Sequence, residues 1–89
     1  MKKPEVLNLI KENVGFSNEQ TNELYDDVYD IIEYYYYEDD GYYISFTEES
    51  IESTLSEREE YKNQNIDWGY VQGLVESVFY NDIQLEEVF

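Results

Sequence analysis

A chain of 89 residues has room for one domain, and its 22 Asp and Glu against five Lys and Arg give it a formal net charge of -17. That sign excludes nucleic acid and anionic membrane as direct ligands, because phosphate recognition needs a cationic surface. There is no histidine, the usual acid–base group at neutral pH, and no cysteine for disulfide or thiolate chemistry.

Apolar residues reach 42%, and eleven Tyr, four Phe and one Trp set the chain apart from a disordered acidic tail. A first helix is expected to start at Pro4, bury Val6, Leu7, Ile10 and Val14, and stop at Gly15. Ser17 followed by Gln20 reads as a capping box opening a second helix, whose inner stripe is Leu24, Val28, Ile31 and Tyr35. The tyrosines Tyr34 to Tyr37, the turn-like Asp39-Asp40-Gly41, and the alternating Tyr42, Ile44 and Phe46 suggest a short β-hairpin or strand near residues 34–46. The same pattern allows the second helix to continue through the tyrosines before one extended segment.

Thr47 is expected to cap a third helix, with Ile51, Leu55 and Tyr61 inward and Asn63-Gln64-Asn65 as its end. Asp67 caps a fourth, with Val71, Leu74, Val75, Val78 and Phe79 inward, Gly69 and Gly73 admitting a close backbone, and Trp68 in the core. Residues from Asn81 to Phe89 are expected to form a short tail helix returning Ile83, Val88 and Phe89 to the core. The expected class is α+β, predominantly helical, with about four helices in a single domain spanning residues 1–89.

The acids are gathered rather than scattered. Glu19, Glu23, Asp26, Asp30 and Glu33 step by four, three, four and three residues, which keeps them on one helical face with Asp27 at its margin. Glu38, Asp39 and Asp40 follow in the loop, then Glu48, Glu49, Glu52, Glu57, Glu59 and Glu60 on the third helix. Fifteen acids thus lie between Glu19 and Glu60 against one base, Arg58. Solubility needs a net charge of only about 2–8 in magnitude, and like charges along a helix cost a few tenths of a kcal/mol per pair. An excess this lopsided is expected to serve a purpose, such as steering towards a basic partner.

Catalysis is not expected. No Ser-His or Cys-His arrangement exists, no phosphate-binding glycine loop occurs, and the chain is too short for the deep cleft a pair of glycosidase carboxylates would need. Calcium fits poorly as well: aligning Gly41 with the glycine of an EF-hand loop puts Tyr36 and Thr47 where carboxylate ligands belong. No metal or cofactor is expected. The segment Met1-Lys2-Lys3-Pro4-Glu5 lacks the apolar run of a secretory signal, so a cytoplasmic location is expected.

The stripe Glu19, Glu23, Asp26, Asp30, Glu33 and the acidic stretch to Glu60 resemble small phage proteins that mimic DNA, among them inhibitors of uracil-DNA glycosylase, anti-restriction proteins and anti-CRISPR proteins. The resemblance implies an inhibitor that occupies the Lys/Arg channel of a nucleic-acid-handling bacterial enzyme, such as a defence-system nuclease. The partner contacts are expected from Glu19, Glu23, Asp26, Asp27, Asp30, Glu33, Tyr36, Tyr37, Glu38, Asp39, Asp40, Glu48, Glu49 and Glu52, with the tyrosines as desolvated anchors. Two alternatives stand beside it. One is an immunity protein or antitoxin neutralising a nuclease toxin, and the other is a structural or regulatory phage component that self-assembles through the fourth helix.

Overall fold

A computed structural model of the chain describes residues 1–38 and 47–87. Four helices follow one another: α1 (Lys3–Val14), α2 (Asn18–Glu38), α3 (Thr47–Leu55) and α4 (Trp68–Glu87). The two long helices, α2 and α4, pack together, and α1 and α3 each pack against both.

Local chemistry sets the corners. Gly15 adopts the left-handed conformation (φ 80°) and donates its N–H to the Lys11 carbonyl at 2.8 Å, closing α1. Two residues later the capping box forms in full: Ser17 Oγ accepts from the Gln20 N–H at 3.2 Å, and Gln20 Oε1 accepts from the Ser17 N–H at 3.0 Å. Asp67 Oδ1 accepts from the Tyr70 N–H at 3.1 Å and opens α4.

The core draws Val6 and Ile10 from α1, Leu24, Tyr25, Val28 and Ile32 from α2, Ile51 and Leu55 from α3, and Val71, Val75, Val78, Phe79 and Ile83 from α4. Phe16, Tyr61, Ile66 and Trp68 reach in from the connections and helix ends. The inner row of α2 therefore runs through Tyr25 and Ile32, while Ile31 and Tyr35 are half-buried at its edge. α2 meets α1, α3 and α4 at once, so its buried arc is wider than a single stripe.

The expected β element is overturned. The described residues contain helices and turns and no strand, and α2 runs unbroken through Tyr34, Tyr35, Tyr36 and Tyr37 to Glu38. The preference of aromatic residues for strands reflects how they pack on a half-buried surface, and a helix can supply the same packing. Helical register brings Tyr29 and Tyr36, seven residues apart, edge-on to the single ring of Phe79, with centroids at 5.5 and 5.3 Å. Residues 39–46, with the Asp-Gly turn and the Tyr42, Ile44, Phe46 alternation, lie outside the described residues.

Three smaller expectations also change. α3 ends at Leu55 rather than at Asn63, and Glu57, Glu59 and Glu60 sit in the turns that follow it. The segment from Asn81 is no separate helix, because α4 continues to Glu87; Val88 and Phe89 lie outside the described residues. Gly73 faces open space, with nothing within 4 Å of the position a Cβ would occupy, so it admits no neighbouring backbone.

These features yield opposite stability effects. Ser17→Ala removes one side of the capping box and is expected to cost about 1 kcal/mol. Gly73→Ala replaces an exposed mid-helix glycine and is expected to add about 1 kcal/mol. Each change corresponds to a shift of roughly 4–8 °C in thermal midpoint, measurable by circular dichroism.

Candidate functional site

The buried row of α2 determines where its acids point. At about 100° per residue, Glu19, Glu23, Asp26, Asp30 and Glu33 fall within an arc of roughly 80° directly opposite that row. All five are exposed. The ridge covers about 21 Å of helix axis at about 1.5 Å per residue, or one carboxylate per roughly 5 Å. A DNA strand presents one phosphate per roughly 3.4 Å, so the ridge resembles one strand at about two-thirds of its charge density.

Little of this charge is neutralised. Among the described residues, the one ion pair on the ridge is Asp26 with Lys3, at 3.9 Å and well exposed. Glu19, Glu23, Asp30 and Glu33 have no ion-pair partner there. Lys62 is engaged by Glu59 at 2.8 Å, and Lys11 donates to Asn18 Oδ1 at 2.8 Å.

Other expected site residues are placed differently. Asp27, at the margin of the ridge, is held within the fold: its Oδ2 accepts from the Tyr61 hydroxyl at 2.6 Å and lies 3.3 Å from Arg58. Tyr36 is half-buried against Phe79, while Tyr37 is exposed, with its ring edge-on to Tyr36. Glu52 is exposed on α3. The side chains of Glu38, Glu48 and Glu49, and the whole of Asp39 and Asp40, lie outside the described residues.

The ridge also extends where the expected contacts did not reach. Tyr34 is 61% exposed, more than any other large hydrophobic side chain described, and stands four residues beyond Asp30, as Tyr37 stands four beyond Glu33. Continuing the four-residue step from Asp30, as well as from Glu33, would have found it. The anionic face thus ends in two exposed aromatic rings, the residue type that most often anchors protein interfaces.

Tyrosine and carboxylate also pair between elements of the fold. The Tyr29 hydroxyl donates to Asp82 Oδ2 at 2.7 Å, tying α2 to α4, much as Tyr61 ties the turns after α3 to α2. Burial first, and then the accepted proton of the hydrogen bond, hold the Tyr29 and Tyr61 phenols well above the ordinary tyrosine range. Burial, then Asp82 and Asp26, push Tyr25 up to about 12. Among the described residues no cluster of side chains suits a metal ion, and no helix is long and apolar enough to cross a membrane.

The raised phenols have a pH consequence. Their contribution to stability is complete below the unfolded tyrosine pKa of about 10 and is lost as pH climbs from there through the folded values, about 12 for Tyr25. Helical circular dichroism is expected to collapse in that window, together with a late step in phenolate absorbance. Tyr61→Phe is expected to make stability fall less steeply with pH there, since one proton fewer is released on unfolding.

No protein-family model matches this chain, and neither any curated protein nor any solved structure matches it.

Proposed function

We propose that this protein is a non-enzymatic inhibitor that binds the cationic nucleic-acid channel of another protein, a defence-system nuclease being the first target to test. One observation carries the reading: the carboxylates of Glu19, Glu23, Asp26, Asp30 and Glu33 stand exposed on one face of α2, and among the described residues Asp26 is the one of them that is ion-paired. Such a row repels itself, since its four successive pairs lie at i,i+3 or i,i+4 and together cost on the order of 1–2 kcal/mol. A channel lined with Lys and Arg relieves that repulsion, and the same field accelerates encounter with it. Tyr34 and Tyr37 supply the desolvated contact that charge alone lacks.

The test compares the wild-type protein with the variant Glu19→Gln/Glu23→Gln/Asp30→Asn/Glu33→Gln. Immobilised wild-type protein is expected to capture nucleic-acid-binding enzymes from a bacterial lysate and to inhibit them. Affinity should fall on the order of tenfold or more between low and high salt, and duplex DNA should displace the enzyme. The variant should bind poorly while being more stable than wild type at low salt, which separates lost recognition from lost folding. Capture indifferent to both salt and the ridge variant would overturn the reading. Salt-sensitive binding that persists in excess DNA would instead indicate attachment outside the channel, as for an immunity protein.

A further inference from the structure

The first turn of α1, the middle of α2 and the end of α4 enclose a cleft of about 490 Å³. Its lining includes Tyr25, Tyr29, Asp26, Asp30 and Asp82, the last accepting from the Tyr29 hydroxyl. A cation already sits in it. The Lys3 ammonium lies 4.9 Å from the centroid of the Tyr25 ring and 3.9 Å from Asp26 Oδ1. An aromatic face beside carboxylates is the chemistry that recognises ammonium and guanidinium groups.

Lys3 uses the cleft incompletely. Among the described residues its single carboxylate contact is long and Asp30 has no ion-pair partner, and its own side chain is 51% exposed. A guanidinium suits the cleft better, because its planar fork stacks on a ring and carries five N–H donors that can reach several carboxylates at once. The fields of Asp82 and Asp26 converge on the Tyr25 phenol and, after burial, are the causes that push it up to about 12.

We propose that this cleft receives an arginine side chain of the partner protein, and that Lys3 is an internal placeholder which the arginine displaces. The proposal rests on the reading of α2 as a surface for a cationic partner, and it fixes one end of that partner's position. Asp26 and Asp30 belong to both ridge and cleft, so an arginine in the cleft would lie beside the row of carboxylates.

The test is titration of the full chain with N-acetyl-arginine amide at low salt, followed by amide chemical shifts, with N-acetyl-citrulline amide as the neutral isostere. Saturable shifts confined to the surroundings of Lys3, Tyr25, Asp26 and Asp82, absent with citrulline, are expected. Lys3→Met is expected to tighten binding about two- to fivefold, the equivalent of an exposed cation–π contact. Asp26→Asn/Asp30→Asn, both at exposed positions, should weaken it. Equal shifts with citrulline, or shifts spread along the ridge and indifferent to Lys3→Met, would overturn the proposal. Glu19→Gln/Glu23→Gln/Glu33→Gln, which leaves the cleft intact, separates the two readings. Ridge-dependent capture without arginine binding sinks the cleft alone, whereas arginine binding with ridge-independent capture supports the cleft and sinks the ridge.

Discussion

Mutual repulsion among carboxylates is the force against which this fold is built. With a net charge of -17 and five basic residues, internal ion pairing cannot neutralise the molecule. Separation is the remaining device, and α2 carries it out: apolar residues take one side of the helix and acids the other. The core formed by Leu24, Tyr25, Val28 and Ile32 with α1, α3 and α4 therefore holds in helical form a row of charges whose mutual repulsion works against α2.

Tyrosine is the second device. An acid near the core must have its charge solvated or hydrogen-bonded. Half-buried Asp27 meets that need with the hydroxyl of Tyr61, and exposed Asp82 accepts from that of Tyr29; both rings extend the core at the same time. One residue type thus covers apolar surface and supplies a donor, which suits a chain with few lysines and arginines.

Features governed by neighbours in the chain were legible from sequence. Gly15, the Ser17–Gln20 box and Asp67 each set a helix end by local hydrogen bonding, and all three do so in the structure. The outward direction of the α2 acids was legible too, because helical periodicity and the apolar row determine it together. What depends on distant residues was not. The tyrosine run is open to strand or continued helix until Phe79 is known to lie across from Tyr29 and Tyr36, fifty and forty-three positions earlier. Asp27 looks like one more surface acid until Tyr61 and Arg58 arrive beside it. The cleft around Tyr25 needed three helices to be assembled, and nothing in the spacing of Lys3, Asp30 and Asp82 announces it.

The continuity of α2 through Tyr37 has a mechanical consequence. A hairpin in its place would have left the acids on a short rod ending in a hinge, free to adjust to whatever they met. Instead the row and its terminal rings belong to one 21-residue helix clamped along its inner side. The backbone spacing of these groups is settled when the chain folds, so under the proposed reading association would have little backbone ordering left to do. Under the proposed reading the same rigidity would make the face selective, because a groove whose cations were out of step with this ruler could not pull it into register.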